Sequence, residues 1–216
     1  MSNATPIVFV VDDESSIRTS LSLLIESAGW QCETFASGPE FLMRLPEPGP
    51  GCLVLDVQLP DLNGLDVQRL LAARFDMPVI FISAHGDVPT TVRAMKAGAL
   101  EFLTKPLQGE ALLGAIADAI ERSRDEIGRA TTMQRLRDSY TTLSRREQEV
   151  MRLVVRGRLN KQVAGDLGIS EITVKAHRGK MMRKMNARTL ADLVLMAVRL
   201  CLIPLGSERA GTRFLT

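Results

Sequence analysis

Cysteine is scarce in this chain of 216 residues: Cys32, Cys52 and Cys201 are the only three, scattered through apolar contexts. An odd, dispersed set excludes a disulfide framework and zinc-finger chemistry, and it points to a reducing interior. Long hydrophobic runs are missing too; none approaches the ~20 residues needed to cross a bilayer. The opening Met1-Ser2-Asn3-Ala4-Thr5-Pro6 lacks the basic start and apolar stretch of a secretory signal. The expected setting is therefore the cytoplasm, with no membrane partner. No internal repeat or low-complexity tract interrupts the chain.

What is present supports folding. Hydrophobic residues make up 45% and charged residues 24% of the chain, enough to bury real cores. The length suits one large domain or two small ones. The net charge of +2 conceals a division. Residues 1–125 hold 17 acidic and 9 basic side chains, a balance of −8, whereas residues 126–216 hold 8 and 18, a balance of +10. Two modules with different partners are expected, the basic one suited to a polyanion such as nucleic acid.

The first half alternates short apolar runs with amphipathic stretches. Ile7 to Val11, Cys52 to Leu55, Val79 to Ile82 and Leu100 to Leu103 read as strands, with Gln31 to Phe35 as a fifth. Runs without polar alternation suit strands covered on both faces of a parallel sheet. Ile17, Leu21, Leu24, Ile25 and Ala28 share one helical face, stopped by Gly29. Gly38 to Leu45 is a second helix, and Leu65, Leu70, Leu71 and Phe75 mark a third, opened by Asn63 as N-cap. Val92, Met95 and Lys96 lie in a fourth that ends at Gly98, and Leu107 to Ile127 forms a fifth. The pattern predicts an α/β fold, a doubly wound (βα)5 domain.

In such sheets ligand chemistry gathers at the carboxyl ends of the strands. Asp12 and Asp13 follow strand one, Asp56 strand three, Ser83 strand four and Lys105 strand five. Three carboxylates repel one another unless a cation joins them. An all-oxygen set favours a hard divalent ion, Mg²⁺ or Mn²⁺. A hydroxyl and an ammonium beside that ion suit a phosphoryl group, which an Asp can accept as an acyl phosphate.

These segments carry a resemblance. Val10-Val11-Asp12-Asp13-Glu14, Leu55 to Pro60, Ser83 to Asp87 and Phe102-Leu103-Thr104-Lys105-Pro106 resemble the receiver domain of two-component response regulators. The resemblance implies Asp56 as phosphoacceptor, with Mg²⁺ held by Asp13, Asp56 and the Gln58 carbonyl and reached by Asp12 mainly through water. Ser83 and Lys105 would then bond phosphoryl oxygens, and Phe102 would be the aromatic whose rotamer follows activation. It also implies a cis Lys105–Pro106 peptide. Gln58 and His85, each two residues beyond a pocket residue, are candidates for tuning hydrolysis of the acyl phosphate; His85 reads equally as an exposed loop histidine.

From Leu143 onward no strand pattern appears. Ser144-Arg145-Arg146-Glu147 is a capping box, and Val150, Leu153 and Val154 form the apolar face behind it. Asn160 to Leu167 and Glu171 to Met185 are helices separated by Gly168-Ile169-Ser170, and Leu190 to Leu200 is a fourth. Two helices around a Gly-containing turn, the second studded with Lys and Arg, make a helix-turn-helix. Val174, Met181 and Met185 should pack inward. Residues 140–203 resemble the LuxR/FixJ-type DNA-binding domain through Leu143 to Val150, Asn160 to Ala164 and Thr173 to Met185.

That resemblance implies Thr173, Lys175, Ala176, Arg178 and Gly179 facing the major groove, with Lys161, Lys180 and Arg183 near phosphates. Gly179, without a side chain, is suited to close approach more than to base reading. The whole chain is similar to two-component regulators of the FixJ/NarL family, FixJ-like in its second half. Expected boundaries are 5–121 for the receiver, 122–142 for a helical linker, 143–205 for the DNA-binding domain and 206–216 for a frayed tail. The implied partners are a sensor histidine kinase, promoter DNA, RNA polymerase and, on phosphorylation, a second copy. Two rivals are an Asp-nucleophile phosphatase or phosphotransferase, for which no cap or substrate insertion is visible, and a regulator whose receiver acts constitutively. An enzyme is not expected.

Overall fold

The structure, a computed structural model, describes residues 5–44 and 49–203. The expected tail 206–216 and Leu45 at the end of the second helix lie outside the described residues. The chain divides into two compact units, the first ending at Arg129 and the second beginning at Ala130.

The first unit alternates β1 (Ile7–Val11), α1 (Ser15–Ser27), β2 (Gln31–Phe35), α2 (Gly38–Met43), β3 (Gly51–Asp56), α3 (Gly64–Ala72), β4 (Val79–Ser83), α4 (Val88–Lys96), β5 (Glu101–Thr104) and α5 (Gly109–Thr141). All five strands pair in parallel, in the order β2-β1-β3-β4-β5. This is the doubly wound (βα)5 architecture. Every residue of β3 and β4 is buried, while the edge strands β2 and β5 are partly exposed. The continuous apolar runs are thus the central strands, and the more polar ones are edges.

Side chains alternate across a strand, so each central strand feeds two cores. Phe9, Val11, Leu53, Leu55 and Phe81 pack with Phe41 of α2, Val67 and Leu71 of α3 and Ala94 of α4. Val8, Val10, Val54, Ile80 and Ile82 pack with Leu21 and Ile25 of α1 and with Leu112, Ile116 and Ile120 of α5. Three helices therefore cover one face and two the other. Asn63 caps α3 as expected, its Oδ1 accepting from the Leu65 N–H at 2.9 Å. Gly29 and Gly98 end α1 and α4 at positive φ of 87° and 92°.

Three apolar assignments need correcting. Ala28 is the exposed C-cap of α1, since the helix has already turned away from the sheet. Leu70 faces solvent while Val67 takes the buried position, because α3 begins at Gly64 and its inward stripe runs through 64, 67, 68 and 71. Phe75 lies beyond the end of α3, although its ring still packs on that core.

The helix α5 runs unbroken for 33 residues. Ser123 on it is buried and its Oγ accepts from the Gly51 N–H at 3.2 Å, so receiver packing extends past residue 121. The second unit contains the end of α5, then α6 (Arg145–Val154), α7 (Asn160–Leu167), α8 (Glu171–Lys184) and α9 (Leu190–Arg199). Both bonds of the Ser144/Glu147 capping box are present. Val150, Met151, Val163, Val174, Met181, Met185 and Leu193 form one core, with Leu136 and Tyr140 packed against it. Gly168 closes α7 in the left-handed region at φ 64°. Among the described residues no helix is long and apolar enough to cross a membrane.

Candidate functional site

The parallel sheet delivers its functional side chains to one edge because every strand points the same way. Asp56 is the last residue of β3, Ser83 the last of β4, and Asp12 directly follows β1. Carboxylate oxygens of Asp12, Asp13 and Asp56 lie within 4.8 Å of one another. Asp12 is fully buried, Asp56 is 4% exposed, and Asp13 stands at the open rim.

Lys105 reaches in from the end of β5. Its Nζ donates to Asp12 Oδ2 at 2.8 Å and to Asp56 Oδ2 at 2.7 Å, with Glu14 at 4.0 Å. The remaining oxygens are held by backbone: Asp12 Oδ1 accepts from the Glu14 N–H and Asp56 Oδ1 from the Gln58 N–H, each at 2.9 Å. Burial pushes the Asp12 carboxyl up, outweighing its bonds from Lys105 and Glu14. Burial by itself would lower the Lys105 ammonium, but the two carboxylate bonds more than offset it and the pKa is raised. Lys105 is therefore a fixed positive charge over the pocket.

Ser83 is buried beside this trio's strand ends; its Oγ donates to the His85 carbonyl at 2.9 Å and accepts the His85 N–H at 3.2 Å. The Lys105–Pro106 peptide is cis, as the sequence resemblance implies. Phe102 is partly buried with its ring centroid 6.3 Å from that of Phe81. Gln58 and His85 are both exposed at the rim. The oxygen-only donor set of the trio fits Mg²⁺, with Asp12, Asp13 and Asp56 as the residues able to hold it. Such an ion would neutralise charge on a transferring phosphoryl group.

Two supports for this pocket were not legible in the sequence. Arg18 of α1 donates from Nη1 to the carbonyls of Asp12 at 2.7 Å and Asp13 at 2.9 Å, pinning the loop that carries both acids. Gly64 lies so close that a Cβ there would sit 2.3 Å from the Asp56 carbonyl oxygen. Neither spacing is a local pattern; each needs two separate elements brought together.

In the second unit α8 presents its charges outward. Lys175, Ala176, Lys180 and Arg183 are exposed on it, as is Lys161 on α7, while Gly179 is partly covered. Lys175 Nζ lies 3.2 Å from Glu171 Oε1, an exposed pair that solvent screens. Thr173 and Arg178 are less free than the other candidates. The Thr173 hydroxyl lies 2.8 Å from the capping Ser170 Oγ, and Arg178 Nη1 donates to Asn160 Oδ1 at 3.0 Å, tying α8 to the start of α7. Glu147 is buried and accepts from Lys184 Nζ at 2.6 Å; the same ammonium also donates to the Thr142 carbonyl at 2.9 Å. Lys184 is thus a structural clasp between α8 and the start of α6.

The match to known families follows the same division. Residues 8–117 match the response regulator receiver domain, and residues 141–197 match the luxR family of bacterial regulatory proteins. The chain belongs to the response regulators. Nodulation protein W of Bradyrhizobium diazoefficiens is 50% identical over 192 residues, 88% of this chain and 85% of that protein. Response regulator protein TodT of Pseudomonas putida is 44% identical over 201 residues, 93% of this chain and 88% of its own. The solved structure of response regulator StyR shares 47% identity with a TM-score of 0.82, covering 90% of this chain and 98% of StyR. Full-length FixJ from B. japonicum shares 35% identity at a TM-score of 0.54, covering 92% and 98%. A response regulator with a luxR-family DNA-binding domain is a transcription regulator and not an enzyme.

Proposed function

We propose that a sensor histidine kinase transfers a phosphoryl group to Asp56, and that this controls promoter binding by the luxR-family domain in the cytoplasm, activating transcription through RNA polymerase. The observation that carries this reading is the buried Asp56 carboxylate beside Asp12, bonded to Lys105 and open toward Asp13. An Asp56 oxygen attacks phosphorus, the bond to the donor nitrogen breaks, and the electron pair leaves with the imidazole. Asp13, Asp56 and the Gln58 carbonyl would hold Mg²⁺, with Asp12 reaching it mainly through water, and the ion would neutralise charge on the transferring group. Lys105 turns from its carboxylate partners to a phosphoryl oxygen, and the Ser83 hydroxyl exchanges its bond to the His85 carbonyl for another. The added group brings about 1.5–2 negative charges. Moving Ser83 and Lys105 shifts β4, β5 and the adjoining α4, with Phe102 following, a change of population between two states.

On α4 the exposed Val88, Val92 and Met95 recur at helical spacing, an apolar face suited to a second copy. Dimerisation would pair two DNA-reading units, each resting on Lys161, Lys175, Ala176, Gly179, Lys180 and Arg183, with Thr173 and Arg178 at the margin. Within this reading residues 5–121 receive the signal and 143–205 bind DNA, while 122–142 connect them and also add Ser123 to the receiver packing and Leu136 and Tyr140 to the second core. Acetyl phosphate with Mg²⁺ should label the wild type and leave Asp56→Ala unlabelled, and DNase footprints of the wild type should strengthen on labelling. Labelling that persists in Asp56→Ala, or footprints indifferent to phosphodonor, would defeat the proposal.

A further inference from the structure

The outward face of α8 is not purely cationic. Residues 172, 175, 176, 179 and 183 follow one another at helical spacing, opposite the buried Val174, Met181 and Met185. Ile172, in the first turn of this face, is 79% exposed. A β-branched apolar side chain gains nothing there from helix propensity, and no core residue covers it. Its neighbours along the face are the exposed Lys175 and Ala176. A Cβ added at Gly179 would meet only Arg183 Nη1, at 4.0 Å, so the surface is open and low in the middle of the helix. Lys180 and Arg183 make the surroundings attractive to phosphates.

A helix with small residues at its centre and cations around them can lie deep in a major groove. An apolar group at its N-terminal turn then meets the base edges, where the one apolar feature is the C5-methyl group of thymine. We propose that Ile172 is a specificity-determining residue that packs against a thymine methyl in each half-site. The inference rests on the reading of α8 as the groove-entering helix and adds to it the base type selected. Thr173 is partly covered and lies off this face, about a quarter turn round the helix from Ile172, with its hydroxyl 2.8 Å from the capping Ser170 Oγ.

The test uses the full-length protein with acetyl phosphate and Mg²⁺. The wild type selects duplexes from a randomised DNA library, and each thymine of the selected duplex is then replaced by deoxyuridine, which removes one methyl group and nothing else. For the wild type, replacement at one thymine per half-site should weaken binding roughly four-fold, the worth of one buried methyl. Ile172→Ala should bind the thymine and uracil duplexes equally, with an unchanged salt slope because Ile172 touches no phosphate. Ile172→Val, keeping most of the apolar surface, should keep most of the discrimination. A wild type indifferent to every uracil replacement overturns the proposal, as does an Ile172→Ala protein that retains the full uracil penalty. If no sequence is enriched and Lys175→Ala binds as well as wild type, the groove-helix reading fails as a whole and takes this inference with it.

Discussion

In the receiver the ionised groups that matter are inside: Asp12 and Asp56 are buried and Lys105 is bonded to both at 2.8 and 2.7 Å. In the second unit Lys161, Lys175, Lys180 and Arg183 stand in solvent. The contrast follows from the ligands. Accepting one small phosphoryl group requires atoms fixed to a few tenths of an ångström, which packing and backbone bonds supply. Attracting a polyanion requires mobile, solvated charge whose effect reaches about a Debye length. The exception in the second unit is the buried Glu147 with Lys184, and it holds the unit together instead of meeting a ligand.

Removing the ammonium is the largest disturbance of this contrast. Lys105→Ala leaves two buried carboxylates facing each other, and the receiver should lose about 3 kcal/mol. Trp30, the chain's one tryptophan, packs on the α1/α5 face, so its fluorescence during urea unfolding follows this unit. Millimolar Mg²⁺ should recover part of the loss; an unfolding midpoint equal to wild type would break the idea that Lys105 compensates the trio.

On the other side of the comparison, Lys175→Ala should cost about 1–2 kcal/mol on the selected DNA and little on random DNA. Equal losses on both would make Lys175 another phosphate contact. Glu147→Gln sharpens the exception. Although burial opposes it, the bonds from Lys184 and the Ser144 N–H hold the Glu147 carboxyl below its ordinary value of 4.5. The folded state therefore binds fewer protons at this site than the unfolded one, so its stabilisation is complete above about pH 4.5 and is lost as pH falls through the lowered value. The variant should be less stable by about 1 kcal/mol at neutral pH. Hydrogen exchange in α6 should also show a shallower acid decline; a decline as steep as wild type would remove Glu147 from the account. The smallest effect is expected from Lys180→Ala, which should lower the salt slope of DNA binding by about one with no change in sequence preference.

How far these features were visible in advance differs by range. The central strands were readable because burial on both faces demands unbroken apolar runs, and Asp12, Asp56, Ser83 and Lys105 because parallel strands end on the same side. The capping box at Ser144 and the stop at Gly168 were readable because they are local. Leu70 and Ala28 misled because helical periodicity tolerates a shift of one position until the partner surface is known. The exposure of Ile172 belongs to the same class, since its place on the outward face follows from the helical spacing to Lys175 and Ala176 but its lack of cover depends on the fold.

Residue order alone therefore determined the two-module plan, the strand sequence and the pocket's membership, since these depend on periodicities of two and 3.6 and on charge. Tertiary structure alone decided that Arg18 pins the acidic loop, that Gly64 must leave room for the Asp56 carbonyl, that Arg178 is bonded to Asn160 and that Lys184 clasps Glu147. Those contacts join elements whose separation in space is set by how whole helices and strands pack, a quantity that no local pattern contains.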